Sequence, residues 1–322
     1  MAPPNPLDLA AEGFRTLQAF GRRMPIGGGV LAPSLAGAVS GRVVLITGAS
    51  SGIGRATALK VGEAGGIVLL VARTKEKLDE LADEIDQLGG TAYSHPCNLT
   101  DVDDIDRMAG EVIEQHEAVD ILINNAGKSI RRSVDRSYDR FHDYQRTMQL
   151  NYFGPVKLIL DLLPLMRTRK RGHIINISTI GLQVNTPRFA AYVASKAALD
   201  AFSRSMAPEV IGDRVHVTTI FMPLVRTPMI APTKHYDRFP TLTPDEAADM
   251  ITDAIRKRPK RMGTAMGNLG QLTYAIAPGA QDLVASQAYH MFPEGDGGKP
   301  KTRDEPSPEE RAFVRATRGV HW

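Results

Sequence analysis

A doubly wound α/β fold, a parallel sheet with helices on both faces, is predicted by three features of the 322-residue sequence. From Val43 onward, short β-branched apolar runs alternate with helical segments. The runs are apolar nearly throughout, as strands buried on both faces require. A glycine-rich turn joins the first run to the first helix, where folds of this class bind ligands.

The first strand is VVLIT at 43–47, followed by a helix over 53–65. IVLLVA at 67–72 is the second strand, and the helix after it, 75–90, carries Leu78, Leu81, Ile85 and Leu88 at helical spacing before a double-glycine stop. Strands follow at 91–97 and 119–127, and residues 138–166 read as one long helix. Strands at 173–178 and 215–221 flank a further helix that begins near residue 189. Right-handed crossovers between parallel strands would distribute these helices over both faces.

This unit spans 41–262 and leaves two extensions. In 1–40, an amphipathic segment at 7–24 opposes Leu9, Phe14, Leu17 and Phe20 to Arg15, Arg22 and Arg23. It is expected to pack on its own domain, with a membrane surface as the alternative. In 263–322 a stretch rich in small and apolar residues, suited to lining or covering a substrate cavity, gives way near residue 292 to a polar tail. There Ser307, Pro308 and Glu310 form a capping box that predicts a helix over 308–318.

Composition narrows the function. A net charge of +3, from 39 basic and 36 acidic residues, gives no global field for nucleic acid. The single cysteine, Cys97, rules out an internal disulfide framework and a cysteine-rich metal site, so no metal is expected and a reducing, cytoplasmic setting is. No apolar run reaches the roughly 18 to 20 residues that span a bilayer.

The spacing Gly48-x-x-x-Gly52-x-Gly54 places glycines where helix amides and the positive end of the helix dipole can meet a pyrophosphate. After the second strand, where an acidic residue would bind the ribose of NAD, stand Ala72 and Arg73, a cation suited to the 2′-phosphate of NADP. Arg55 and Lys75 could assist. NADPH is therefore the expected cofactor. Further on, Tyr192 and Lys196 are four residues apart on a helix, within reach of one ligand. A phenol is a poor proton donor at pH 7 unless a neighbour such as an ammonium lowers its pKa.

These residues, with TGASSGIG at 47–54, NNAG at 124–127, Asn151 in MQLNYFG at 148–154, IINIST at 174–179 and YVASK at 192–196, resemble the short-chain dehydrogenase/reductase superfamily. The resemblance covers about residues 41–230 and implies a Rossmann-type fold. It implies that Tyr192 is the general acid/base, that Lys196 binds the nicotinamide ribose while lowering the tyrosine pKa, and that Asn151 holds a water in a proton relay. It also implies a substrate-binding hydroxyl at the end of the fifth strand, for which both Thr179 and Ser178 are candidates, Thr179 by spacing and Ser178 by residue type. Cofactor contacts are implied for Gly48, Ser50, Ser51, Gly52, Ile53, Gly54, Arg73, Asn98, Leu99, Asn125, Ala126, Gly127, Tyr192, Lys196, Pro223, Val225 and Thr227. Asn98 replaces the usual acidic residue near the adenine, and Pro223-Leu224 replaces the usual Pro-Gly.

A closer resemblance, through 124–154, 189–206, 221–251, 271–278 and the closing His321-Trp322, is to the long-chain fatty acyl-CoA reductases of this superfamily, which form fatty aldehydes. It implies reduction of a long-chain acyl-CoA, with a lipid ketone (3-oxoacyl or steroid-like) as the alternative substrate of the same residues. Lys128, Arg131 and Arg132 in the loop after the fourth strand could bind coenzyme A phosphates. An ion-paired loop with Asp135 and Asp139 is the alternative. No covalent acyl-enzyme is expected, Cys97 reading as a core thiol. The basic run 167–172 precedes a parallel strand and should lie away from the site. Related enzymes associate through helices equivalent to 138–166 and 190–210, so a dimer or tetramer is implied.

Overall fold

The computed structural model describes residues 32–230 and 241–291. The helices expected at 7–24 and 308–318 lie outside the described residues. A short helix, α1 (Leu35–Val39), leads into β1 (Val43–Thr47), α2 (Gly52–Glu63), β2 (Ile67–Ala72), α3 (Lys75–Gln87), β3 (Thr91–Pro96), α4 (Val102–His116) and β4 (Ile121–Asn124). The second half runs α5 (Phe141–Met148), a π-helical turn (Gln149–Phe153), α6 (Gly154–Thr168), β5 (Gly172–Thr179), α7 (Ile180–Val184), α8 (Ala190–Val210), β6 (Val215–Met222), α9 (Pro244–Lys257), β7 (Arg261–Met262), α10 (Ala265–Ile276) and α11 (Pro278–Met291).

Among the described residues the sheet has seven strands in the order β3-β2-β1-β4-β5-β6-β7, every pair parallel. Strand direction in sequence space reverses between β1 and β4, so the crevice beyond their carboxyl ends is the topological switch point at which such sheets bind ligands. Alternation along the strands splits the core in two. Val44, Ile46, Val68 and Leu70 pack under Leu78, Leu81 and Ile85 of α3, whereas Leu45, Leu69 and Leu122 pack on Ile105 and Met108 of α4 and Leu158 of α6.

Three departures from the sequence expectation have local causes. The helix expected over 138–166 is broken into α5, the π turn and α6. Pro155 has no N–H to donate to the carbonyl of Asn151 four residues back, and the amide of Gly154 reaches instead to Gln149 O. Strand β4 ends at Asn124 rather than 127, because the amides of Asn125 and Ala126 both turn to Thr47 Oγ1, at 3.0 Å each. Strand β7 is two residues long, too short for a periodic signal. The basic run lies at the opposite end of the sheet, as expected, where Arg171 meets the buried carboxylate of Asp120 at 2.6 Å and Arg167 meets Asp213 at 2.7 Å.

Buried histidines make the fold acid-sensitive. His173 in β5, hydrogen-bonded to Thr218 Oγ1 at 2.9 Å, is pushed by burial down to about 3, and burial also lowers His95. A depressed histidine pKa means that the unfolded chain binds the extra proton first, so its share of stability is intact above the ordinary value near 6.5 and lost as pH falls below it. Thermal unfolding between pH 8 and 4 should show a falling midpoint below about pH 6.5, with each such histidine contributing up to about 1.4 kcal/mol per pH unit. His173→Gln should flatten that fall.

Candidate active site

The crevice is built from the loop after β1, the loop after β4, the end of β5 and the first turns of α8. Gly48 and Gly52 have φ of +68° and +54°, a region that side chains disfavour. A Cβ at Gly52 would stand 3.1 Å from Thr227 of the loop after β6, so the two loops meet across the opening. Gly54 does different work: a Cβ there would lie 2.3 Å from Gly48 O, so it allows α2 to pack against the strand end rather than leaving room for a ligand. Ser51, the residue before α2, places no side-chain cap on the helix, leaving its first amides to the crevice. Asn125 donates its side-chain amide to Thr47 O at 2.9 Å and so holds this turn in place.

On the opposite wall, Tyr192, half-buried in the first turn of α8, hydrogen-bonds through its side chain to that of Thr179. Thr179 Oγ1 also accepts from Gly181 N at 3.1 Å, which starts α7. Ser178, its neighbour on β5, is buried, and its Oγ has no hydrogen-bond partner among the described residues. Of the two candidate hydroxyls, Thr179 is therefore the one that meets Tyr192. Thr179→Ala should lower kcat by about 10- to 100-fold, with Ser178→Ala changing it less than threefold; the reverse ranking in steady-state assays would transfer the role to Ser178.

Lys196, one turn along α8, is buried and donates Nζ–H to Ile177 O at 2.7 Å. Burial lowers its pKa to about 8. The expected lowering of the Tyr192 pKa is not what the structure shows: desolvation raises it to about 12, opposed only by the Thr179 hydrogen bond, because the ammonium points at a backbone carbonyl. At neutral pH the phenol is fully protonated, the form that donates.

Asn151, fully buried in the π turn, accepts from Lys128 N at 2.8 Å, donates to Lys128 O at 2.9 Å and donates to Ser195 Oγ at 2.9 Å. Ser195 Oγ in turn donates to the carbonyl of Tyr192 at 2.7 Å, tying the π turn to α8. Gly127 sits at the convergence, where a Cβ would lie 3.3 Å from Asn151 Oδ1 and 3.4 Å from Lys196 Nζ. Ser195 and the π turn escaped the sequence reading; the Gly154-Pro155 pair inside the apolar helix pattern was the available signal for the turn.

The remaining predicted positions divide. Arg73 is exposed after β2, with no carboxylate at ion-pair distance among the described residues, whereas Arg55 is paired with Glu84 and Lys75 with Asp79 at 2.6 Å. Asn98 Oδ1 already accepts from Thr100 Oγ1 at 2.8 Å, which competes with the adenine contact expected of it, and Leu99 is buried beside it. Pro223 and Val225 are buried in the loop after β6, Val225 bridging to Leu242. Of the three loop cations, Arg132 meets neither Asp135 nor Asp139 but the buried Asp143, at 3.1 Å, and Arg140 shares that carboxylate. Cys97 is buried, its thiol pushed up to about 12 by desolvation, and so fits a core thiol rather than a nucleophile. No cluster of metal-ligating side chains occurs among the described residues.

A sequence profile described as short chain dehydrogenase matches residues 42–237, more than half of the chain. The chain belongs to the short-chain dehydrogenase family. It is thereby an oxidoreductase of a family that uses nicotinamide cofactors. A fatty acyl-CoA reductase of Acinetobacter baylyi is 54% identical over 284 residues, 88% of this chain and 96% of that protein. An uncharacterized oxidoreductase of Mycobacterium tuberculosis is 53% identical over 292 residues, 88% of this chain and 86% of that protein. Among solved structures, a metagenomic short-chain oxidoreductase in complex with NADP superposes with a TM-score of 0.60 at 33% identity, covering 70% of this chain and 97% of that one.

Proposed function

We propose that this short-chain dehydrogenase reduces a long-chain fatty acyl-CoA to the fatty aldehyde with release of coenzyme A, using NADPH. The observation that carries the reading is the 54% identity to the Acinetobacter fatty acyl-CoA reductase, which extends over 88% of the chain and therefore beyond the sheet domain. The crevice fits a dinucleotide: two left-handed glycines, uncapped amides at the start of α2, and an exposed Arg73 for a 2′-phosphate. NADPH, when bound, supplies the hydride.

The chain's own residues supply the rest. Thr179 and Tyr192 would hold the thioester carbonyl oxygen, and the phenolic proton of Tyr192 would pass to that oxygen as negative charge develops on it. Lys196 would orient the cofactor ribose. Asn151, locked by Lys128 and Ser195, would hold the water that returns a proton toward Tyr192. Collapse of the resulting hemithioacetal breaks the C–S bond, giving aldehyde and the free thiol without a cysteine nucleophile. In the same reading, Lys128 and Arg131 would bind phosphates of coenzyme A, with Arg132 held by Asp143. Replacing Lys128 and Arg131 together by alanine should raise the KM for acyl-CoA about tenfold and leave that for an uncharged aldehyde unchanged; equal effects on both would remove this role.

The test is thiol release. Purified protein with NADPH and palmitoyl-CoA should liberate one thiol per NADPH oxidised, read with a thiol reagent. A reductase of 3-oxoacyl chains or another lipid ketone would consume NADPH on that substrate without liberating thiol.

A further inference from the structure

The C-terminal helices present an exposed surface formed by none of the residues placed at the crevice above. Residues 262–281 contain no charged side chain, although 23% of the chain is charged. The segment is not buried: residues 271–276 and 278–280 are all exposed, including Leu272 at 57% and Ile276 at 75%, and Leu283 and Val284 of α11 are each 70% exposed. Helical residues turn by about 100° each, so Leu272 and Ile276 share one side of α10 while Tyr274, also exposed, points to the other. A flat protein partner would cover one side only. Toward its end α10 is uncharged, with Gln271 and Thr273 the polar exceptions among Leu272, Tyr274, Ala275 and Ile276, and apolar exposure on two sides of a helix end fits surroundings that are apolar on both.

The two helices are anchored at the other end. Gly267 and Gly270 let α10 lie against α7, where a Cβ at Gly270 would come within 2.7 Å of Val184. Near the end of α11, Arg188 donates to Tyr289 O at 2.7 Å and stacks 4.0 Å over the Tyr289 ring. Lys260 and Arg261, both exposed, precede α10. Cations thus stand at the root of the hairpin and none at its tip, which complements the order in an anionic bilayer, phosphate outside and hydrocarbon within. Asp282, the first charge of α11, limits the depth of insertion and leaves Leu283 and Val284 beside it at the interface.

We propose that the α10–α11 tip inserts into the interfacial layer of an anionic phospholipid bilayer, holding the protein at the membrane surface. Among the described residues no helix is long and apolar enough to cross a membrane, so the contact is peripheral. The proposal stands apart from the acyl-CoA reading and is tested without substrate or NADPH.

The full chain is co-sedimented with vesicles of phosphatidylcholine and phosphatidylglycerol, and with phosphatidylcholine alone. Wild-type protein should pellet with the mixed vesicles and several-fold less with the neutral ones. The double variant Leu272→Ser/Ile276→Ser should pellet at least fivefold less, and Leu283→Ser/Val284→Ser should also pellet less, both with unchanged circular dichroism and gel-filtration mass. Residues 1–31 are present in every protein compared, so the difference reads the hairpin. Wild type remaining in the supernatant, or variants pelleting as wild type does, would overturn the proposal. A fall in gel-filtration mass in the variants would do so too, assigning the surface to a second copy of the chain. Equal binding to both vesicle types would remove the cationic root from it.

Discussion

Replacing Tyr192 with phenylalanine should lower kcat for acyl-CoA reduction by about 100- to 10,000-fold while changing NADPH affinity less than about twofold. The substitution removes one hydroxyl and keeps the ring, whose centroid lies 6.4 Å from that of Phe189 on the same wall. What disappears is the hydroxyl that would donate the proton. Its neighbour Thr179 keeps its hydroxyl but, already accepting from Gly181 N, can orient the carbonyl oxygen without supplying an acid of comparable strength. Steady-state turnover together with a fluorescence titration of NADPH separates the two quantities. Loss in both would mean that the phenol supports binding, and loss in neither would remove Tyr192 from the chemistry.

The second large effect is structural in origin. Gly54→Ala should weaken NADPH binding by more than tenfold and destabilise the fold by about 1–3 kcal/mol. The added methyl would lie 2.3 Å from Gly48 O, 2.8 Å from Gly48 C and 2.7 Å from Asn125 Nδ2. Backbone atoms make up two of these contacts, and the amide is fixed by its bond to Thr47 O, so no flexible side chain can absorb the clash. Either α2 moves away from β1 or the glycine turn opens, and both displace the amides that would meet the pyrophosphate. Gly110→Ala in α4 is the control, since nothing lies within 4 Å of the Cβ it would add; there the smaller backbone entropy of the unfolded chain should make the protein slightly more stable. Chemical denaturation and cofactor titration of the two variants test the contrast.

Most of the sheet was legible in the sequence because buried parallel strands announce themselves as continuous apolar runs, and each of the six expected strands exists with ends shifted by at most three residues. The Tyr192 and Lys196 pair was legible because a helix fixes what lies four residues on. Less legible were features created by tertiary neighbours. Lys196 cannot be seen from sequence to spend its hydrogen bond on Ile177 O, and that contact leaves the tyrosine pKa under the control of desolvation. Asp143, the carboxylate that captures Arg132, lies in α5, beyond the loop acids that spacing suggested. The choice between Ser178 and Thr179 turned on which of two adjacent strand residues faces α8, and only the Tyr192 contact decided it. The π turn at Asn151 follows from Pro155, whose missing N–H is visible in the sequence but whose effect depends on the helix being held on both sides of it.

On the proposed function, hydride is delivered to a thioester carbon in the crevice between β1 and β4, with Tyr192 as the acid. Single-turnover reaction of palmitoyl-CoA with NADPH carrying deuterium at the transferring position of the nicotinamide tests it most directly, by mass spectrometry of the aldehyde. One deuterium on the aldehyde carbon, with one coenzyme A thiol freed per turnover and neither product from Tyr192→Phe on the same timescale, is the predicted result. Unlabelled aldehyde, or NADPH oxidation without free thiol, would contradict it.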